Sequence, residues 1–272
     1  MNVQLDYGGD IVGTTRGAGG WETRCAPAQI SGKRLSRALQ SEMRNRLLRA
    51  LPAADFDRLA GGIEAVELPV RTVIQPVDTP FEFVTFPGSG IASIVAVTSD
   101  DRRLEVGLYG RDGMSGQLLM LGGDRSPHEH FMQVAGAGHR VRARELEAVV
   151  EESRAARLLL LRYVLSFTLQ VAGTALSNGA YTVEERLARW LLMSDDRLDG
   201  EEMALTHEFL ALMLGVRRSS VTVALQVFEG AKLIRARRGH VRLLDRAKLA
   251  EIAGDSYGGP EAEHQRLLGT PI

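Results

Sequence analysis

Polar side chains that can bind nucleic acid follow directly on a glycine near the end of the sequence. They are Arg217, Arg218, Ser219, Ser220 and Thr222. An Arg guanidinium can form two parallel hydrogen bonds to a guanine edge, and Ser or Thr hydroxyls can bond bases or phosphates. We therefore predict hydrogen bonding to nucleic acid here, with Arg217, Arg218, Ser219 and Thr222 as candidates for contact with base edges.

Two short amphipathic helices are predicted to position these side chains. Apolar residues recur at steps of three and four on both sides of Gly215, namely Phe209, Leu210, Met213 and Leu214 before it and Val221, Leu225 and Phe228 after it. A glycine turn between two such helices is typical of the helix-turn-helix, whose second helix enters the DNA major groove. An ordinary helical hairpin with solvated arginines would show the same local pattern.

Positive charge continues beyond the second helix. Between Gly215 and Lys248 there are nine Lys or Arg residues against Glu229 and Asp245, a local balance of +7. The segment from 235 to 244 predicts a hairpin that turns at Arg238 and Gly239. Its basic tip would be the wing of a winged helix-turn-helix, with phosphate contacts expected from Arg237, Arg238 and His240.

Composition excludes several classes of protein. The chain has 272 residues and a net charge of −1, so DNA affinity must come from a local patch. The single Cys25 excludes an intramolecular disulfide framework and an iron–sulfur cluster, and it fits a cytosolic location. No uninterrupted apolar run is long enough to span a membrane; the run from Leu158 to Leu161, for example, ends at Arg162.

The preceding chain predicts an α+β fold with two domains. Residues 1–30 lack periodicity and are expected to be a disordered leader. Lys33 to Leu51 and Ala53 to Ala60 predict helices, and Ile63 to Val141 predicts short strands in a β-sandwich or β-barrel. Arg144 to Ser153 predicts another short helix that closes this region.

A long helix from Arg154 to Asn178 carries two apolar stripes. The first stripe comprises Leu158, Leu161, Leu165, Thr168, Ala172 and Ala175; the second comprises Leu160, Val164, Phe167 and Val171. One stripe suffices to dock the helix on the barrel, and the other predicts pairing with a second copy of the chain. A helix buried within one subunit is the alternative.

The helix is expected to break at Asn178 and Gly179, which we predict as the domain boundary and hinge. Thr182 and Glu185 form a capping box that starts the next helix. After a predicted helix from Asp245 to Ala253, the Gly-rich residues 256–272 are expected to form a flexible tail.

Several short motifs resemble those of the Crp/Fnr superfamily of bacterial transcription regulators over about residues 45–255. They are His207 to Ala211, Met213 to Arg218, Ser220-Val221, Leu233-Ile234, Arg238 to His240 and Leu244 to Arg246, with Phe86-Pro87, Ser89 to Ile91, Gly110-x-x-Gly113-Met114 and Ser126-Pro127 in the preceding half.

The resemblance implies a double-stranded β-helix over residues 31–153, of the jelly-roll type that binds cyclic nucleotides. A dimerisation helix over 154–178 and a winged helix-turn-helix over 179–255 would follow. It further implies a homodimer on a palindromic site of double-stranded DNA, with no membrane partner. RNA polymerase would be a further partner of an activator, and the barrel would sense a small molecule whose identity is unknown.

The expected nucleotide-binding residues depart from that family. Gly116 is followed by Gln117 rather than Glu, and Ser126 to Glu129 replaces the Arg-Ser/Thr-Ala segment. A cyclic phosphate without its Arg would lack its bidentate partner, so cyclic-AMP binding in the usual mode is not expected. Gly116, Gln117, Arg125 and His128 are retained as candidates for an effector pocket, and no cofactor is predicted.

Other interpretations concern the role of the histidines and the means by which the protein passes on a signal. Gly122 to His130 matches the first part of a cupin metal motif, so His128 and His130 could belong to a metal-dependent enzyme or a metal or haem sensor. His139 is a further potential haem ligand. A dimeric sensor that acts only through protein contacts is a third interpretation. The chain has no Ser/His/Asp set, phosphate loop or CxxC pair, so no other enzyme class is indicated.

Overall fold

The computed structural model describes residues 32–34, 38–100, 102–199, 202–237 and 239–272. The predicted leader over 1–30, Cys25 and Arg238 lie outside the described residues. Two four-stranded antiparallel sheets form the first half, and helices with a small three-stranded sheet form the second. The predicted α+β fold is confirmed.

The two large sheets face each other as a jelly-roll barrel. Their strands are β1 (Gly32–Arg34), β2 (Glu64–Leu68), β3 (Val73–Gln75), β4 (Phe83–Pro87), β5 (Ile91–Val97), β6 (Arg103–Tyr109), β7 (Glu129–Val134) and β8 (Gly136–Arg142). One sheet has the order β1-β2-β8-β4 and the other β3-β7-β5-β6. Apolar side chains from both sheets fill the space between them, among them Leu68, Ile94, Tyr109 and Met132.

The segment before the barrel does not form the helix predicted from Lys33 to Leu51. It contains strand β1, a 3-10 turn (Gln40–Glu42) and the short α1 (Arg46–Ala50), followed by α2 (Ala53–Leu59). Asn45 starts α1, since its side chain accepts hydrogen bonds from the amides of Leu47 and Leu48. The Asn45 amide also donates to the carbonyls of Pro87 and Gly113, which fixes the new start against the barrel.

A short helix and a very long one follow the barrel, α3 (Ala143–Glu152) and α4 (Arg154–Ala180). The second apolar stripe of α4 faces inward, where Leu160 and Val164 are buried. The first stripe faces outward at Leu158 and Leu165, which are exposed by 46% and 47%, and Leu176 beside this stripe is exposed by 58%. Only one of the two predicted stripes is therefore used within the chain.

By length and composition, α4 could cross a membrane, so the expectation that no segment reaches this length does not hold. The helices His207–Leu214 and Arg218–Gly230 are also long and apolar enough if they are taken together, although the chain bends by 107° between them. One or two such helices are weak evidence for a membrane span, because core helices of globular proteins have the same length and composition.

The predicted helix break at Asn178 and Gly179 is wrong, because α4 continues to Ala180. Arg186 donates a 2.7 Å hydrogen bond to the Asn178 side chain and so ties the end of α4 to the next helix. That helix, α5 (Val183–Asp195), begins with the predicted capping box between Thr182 and Glu185. Any hinge would have to lie at the extended residues Tyr181 and Thr182.

The remaining elements form a compact helical unit with a hairpin. They are β9 (Met203–Ala204), α6 (His207–Leu214), α7 (Arg218–Gly230), β10 (Ile234–Arg237), β11 (His240–Leu243), α8 (Arg246–Ala253), a 3-10 turn (Gly254–Ser256) and α9 (Gly259–Leu268). The small sheet has the order β10-β11-β9.

Helix α6 packs directly on the barrel sheet that contains β5, β6 and β7. The ring of Phe209 stacks on Phe131 with 6.5 Å between centroids, and the guanidinium of Arg71 lies over Phe209. The Ser93 hydroxyl donates to the sulfur of Met213 at 3.7 Å. One continuous apolar cluster therefore joins the helical unit to the barrel.

The tail predicted to be flexible forms helix α9 instead. Glu261 accepts a 2.8 Å hydrogen bond from the amide of Gly258, and Pro260 occupies the first turn, where its missing N–H is tolerated. His264 is buried against α4, with its Nδ1 3.0 Å from the hydroxyl of Ser166. This contact between residues far apart in sequence stabilises a segment whose composition is typical of a loop.

Candidate nucleic-acid interface

A tight turn sets the angle between α6 and α7. Thr206 starts α6 by accepting a hydrogen bond from the amide of Phe209, and Gly215 ends it with φ of +59°. A Cβ at Gly215 would displace only the end of the Leu104 side chain, 2.6 Å away on β6, so the positive φ is the reason that this position favours glycine. The chain bends by 107° between the helices, which is the geometry of a helix-turn-helix.

One face of α7 builds the core of this motif. Val221, Ala224, Leu225 and Phe228 are buried together with residues of α5, α6 and α8. Their spacing orients the opposite face of α7 outward. The apolar core therefore presents the first turn of α7 to solvent in a fixed orientation.

Positive charge is concentrated at this first turn. Arg217 is the N-cap residue of α7 and Arg218 is its first residue, and both side chains are exposed. Arg218 forms an exposed ion pair with Glu208 at 3.4 Å, whereas Arg217 has no carboxylate partner within the described part of the chain. The helix N-terminus adds its own partial positive charge, so the site suits phosphate or other electronegative groups.

The three hydroxyl residues differ in availability. Ser219 is exposed and Ser220 is half-buried. Thr222, which we expected to contact bases, is half-buried and donates a 3.1 Å hydrogen bond to the carbonyl of Arg218. Its oxygen also lies 3.0 Å from Nδ1 of His207. The Thr222 hydroxyl is thus hydrogen-bonded within the motif. Of the two hydroxyl residues predicted to contact bases, Ser219 is the more accessible.

The hairpin of β10 and β11 lies beside the helices as the predicted wing. Arg237 and His240 pair in register across it, and Gly239 turns the chain with φ of +80°. Both Arg237 and His240 are exposed. The amide of Leu205 donates to the carbonyl of Gly239 at 2.7 Å, which ties the tip to the start of the motif. Arg238 lies outside the described residues.

Three further residues share the outward face of α7 and were not predicted as contacts. Val223 and Val227 are exposed by 54% and 53%, and Gln226 is exposed between them. The helical period contains the necessary signal, since positions opposite Val221 and Phe228 must point outward. Our sequence interpretation selected residues by hydrogen-bonding capacity and so passed over the two valines.

The four candidates for an effector pocket have different surroundings. Gln117 is buried and donates a 3.0 Å hydrogen bond to the hydroxyl of Tyr163 on α4, while Gly116 packs against Val84. Arg125 is exposed and its guanidinium is bonded to the neighbouring Asp124. His128 is half-buried. Neither of the two best-formed cavities is lined by any of these four residues.

The histidine alternative loses its support from geometry. His130 is buried, with Nδ1 3.4 Å from the Tyr109 hydroxyl and Nε2 3.4 Å from the Ser126 hydroxyl. Burial lowers the pKa of His130 to about 3, with a smaller effect of His128 in the same direction. Among the described residues, no group of three or more His, Cys, Asp or Glu side chains could hold a metal ion.

Two buried carboxylates connect the barrel to the helical unit. Asp112 receives a 2.8 Å bond from the guanidinium of Arg197, and both side chains are almost fully buried. Burial alone would raise the pKa of Asp112, but the charges of Arg197 and His264 and hydrogen bonds from backbone amides together outweigh burial and lower the pKa. Glu105 accepts a 2.8 Å bond from the Trp190 ring nitrogen, and burial raises its pKa to about 7. Neither carboxylate faces the exposed basic surface.

Comparisons with known proteins agree with this geometry. Residues 185–252 match the Crp-like helix-turn-helix domain. FixK2 from Bradyrhizobium japonicum has a similar structure, with 19% identity, coverage of 71% of this chain and 98% of that chain, and a TM-score of 0.63.

Two further solved structures are similar. The c-di-GMP-responsive global regulator CLP of Xanthomonas campestris gives 20% identity, 71% and 99% coverage, and a TM-score of 0.53. A Crp/Fnr-family protein of Eubacterium rectale gives 17% identity, 76% and 97% coverage, and a TM-score of 0.59. A search of curated protein sequences gave no match.

The chain thus consists of a barrel, a long helix and a Crp-like helix-turn-helix domain with a hairpin beside it, in this order. Residues 185–252 therefore form a Crp-like helix-turn-helix domain, and the chain shares the fold of FixK2 and of the Eubacterium rectale protein.

Proposed function

We propose that the chain regulates transcription as a homodimer that binds a palindromic operator. The observation that carries this proposal is the exposed basic first turn of α7, held above a buried helix-turn-helix core. In a symmetric dimer the two α7 helices would enter successive major grooves, roughly 34–36 Å apart. The barrel would sense a signal that remains to be identified, and the protein would act in the cytoplasm as a regulator rather than an enzyme.

Selection of bound duplexes from random DNA tests this proposal. We expect a palindromic consensus, with affinity that falls steeply as salt increases because Lys and Arg displace counterions from phosphates. A consensus without two-fold symmetry would contradict the dimeric mode. Binding to all sequences with equal affinity would contradict a specific operator.

The role of the dimer rests on the outward stripe of α4. Leu158, Leu165 and Leu176 form an exposed apolar row on one side of this helix. Such a row stabilises association when a second copy covers it. We propose that two α4 helices pair along this row and set the two-fold axis.

Sedimentation of two variants tests the pairing. Leu165→Glu introduces a charge into the row and should convert a dimer into a monomer. Ala54→Glu introduces the same charge at an exposed position of α2, outside the row, and it should leave the dimer intact. A monomeric wild type, or equal behaviour of both variants, would contradict the proposed interface.

Individual contacts on DNA should separate into two kinds. We propose that Arg217, Arg218 and Ser219 contact base edges, with Ser220 and Thr222 beside them. Arg237, Arg238 and His240 would contact phosphates. The first group lies at the start of α7, and Arg237 and His240 lie on the wing. Residues at a recognition-helix N-terminus face bases, whereas a wing follows the backbone.

Matched alanine variants distinguish the two kinds of contact. Arg218→Ala should cost about 1–3 kcal/mol at one base position and relax the preference there. Arg237→Ala should weaken binding to all sequences and reduce the salt slope by about one. Arg266→Ala, on the remote helix α9, is the control and should leave binding unchanged. Identical effects of Arg218→Ala and Arg237→Ala on specific and random DNA would contradict the assignment.

RNA polymerase is the partner that we propose if the protein activates transcription. Transcription in vitro from a promoter that contains the selected operator would show activation or repression. A direct contact predicts that operator binding and polymerase binding strengthen each other.

A further inference from the structure

The outward face of α7 combines polar and apolar side chains in a regular pattern. Ser219, Val223 and Val227 follow each other at steps of four residues, and Gln226 lies beside them. Both valines expose more than half of their surface. Since the opposite face of α7 fills the core, these valines do not contribute to the packing of the motif.

The surroundings of this face define its occupant. Arg217 and Arg218 lie at one end of α7, and Lys232 and Arg237 are exposed beyond the other end. Glu208 is paired with Arg218, and Glu229 accepts a hydrogen bond from the amide of Ala236. The occupant must therefore be negatively charged overall and must still offer apolar groups to Val223.

The DNA major groove meets both requirements. Its phosphates are negative, and the C5-methyl group of thymine is the apolar group that it presents at a base edge. A Gln side chain can bond N6 and N7 of adenine, so Gln226 beside the valines is compatible with A·T pairs. Hydrophobic contact at Val223 would favour thymine over cytosine without any hydrogen bond.

We propose that Val223 contacts a thymine methyl group in each half-site and so determines specificity at that base pair. This inference rests on the DNA-binding function proposed above. Val223 lies in the second turn of α7, closer to the N-terminal end that enters the groove, whereas Val227 lies one turn further along. Val227 therefore provides a matched position of equal residue type and exposure outside the deepest part of the contact.

Replacement of thymine by uracil removes only the methyl group and tests the contact directly. In the selected operator, each symmetry-related thymine pair is replaced in turn, and affinity is measured for wild type, Val223→Ala and Val227→Ala. One pair should weaken wild-type binding by roughly fourfold per half-site, as expected when a buried methyl group is lost. Val223→Ala should lose sensitivity at that pair, and Val227→Ala should retain it.

Two results would overturn the inference. One is a wild type that binds all uracil-substituted operators as tightly as the thymine operator. The other is a Val223→Ala variant that keeps the full sensitivity of wild type. Failure to select any preferred duplex would instead overturn the proposed function itself. Because Val223 is exposed, the unfolding midpoint of Val223→Ala should match that of wild type, and this shows that the variant is folded.

Discussion

Arginine side chains have different surroundings in two regions of the molecule. One region is the surface formed by α7 and the β10–β11 hairpin, and the other is the junction between the barrel and the helical unit. On the first surface, Arg217 and Arg237 are exposed and lack carboxylate partners among the described residues. At the junction, Arg197 is fully buried and paired with Asp112. Arginine thus remains accessible to a ligand in the first region and is paired with a buried carboxylate in the second.

This difference explains why function can be assigned to one half more readily than to the other. Exposed polar groups without partners retain their capacity to bind a ligand. Buried groups that bond each other, such as Gln117 with Tyr163, contribute to packing and orientation. Among the effector candidates, Gln117 belongs to the second kind.

Loss of Arg197 should have the largest effect on stability. Arg197→Met would leave the buried carboxylate of Asp112 without its cation, which typically costs about 3–5 kcal/mol. Urea denaturation measures this loss. The double variant Arg197→Met with Asp112→Asn removes both charges but keeps an acceptor for the Gly110 amide, and it should recover part of the loss. A single variant as stable as wild type would show that the pair is not a buried charge pair in solution.

Glu105 should make the free energy of unfolding depend on pH, with an effect smaller than that of losing Arg197. Burial raises its folded pKa to about 7 from an ordinary value of 4.5, so the folded state holds the proton more tightly. Its contribution is fully present below pH 4.5 and is lost as pH rises through 7. Over this range the loss amounts to about 3 kcal/mol at most.

Glu105→Gln isolates that contribution. The Gln amide does not ionise, so the variant should gain stability over wild type as pH rises from 5 to 8. His130 acts in the opposite direction, because its depressed pKa makes acid destabilising, but it is common to both proteins. The difference between the two urea denaturation curves at each pH therefore measures Glu105 alone. A constant difference across this range would contradict a raised pKa.

Local signals account for the parts of the fold that could be predicted. Thr206, Gly215 and the apolar spacing around them define α6 and α7 without reference to the rest of the chain. The capping box of Thr182 and Glu185 defines α5 in the same way. Because the proposed DNA-contacting surface depends on these helices, its candidate residues could be selected from the sequence.

Long-range contacts account for the errors. Asn45 is bonded to Pro87 and Gly113, and His264 lies against Ser166 of α4. Neither contact has a spacing that a local pattern could reveal, so α1 and α9 were wrongly predicted. The hydrogen bond of Gln117 could not be predicted for the same reason, because its partner Tyr163 lies on a helix far along the sequence.

The ion pair of Glu208 and Arg218 should give the smallest change in stability and the sharpest contrast with Arg197. Both side chains are at least half exposed, so solvent screens the pair and its loss should cost less than about 0.5 kcal/mol. Glu208→Gln also releases Arg218 and removes a negative charge beside α7, so operator affinity should rise severalfold.

Glu263→Gln is the control, because it breaks a comparable exposed pair with Arg266 on α9 and should leave DNA binding unchanged. Urea denaturation and operator titration of both variants measure the two effects. If Glu208→Gln destabilises the fold as much as Arg197→Met, the division between exposed functional charge and buried structural charge is wrong. If it leaves DNA affinity unchanged, Arg218 is not held back from DNA by this pair.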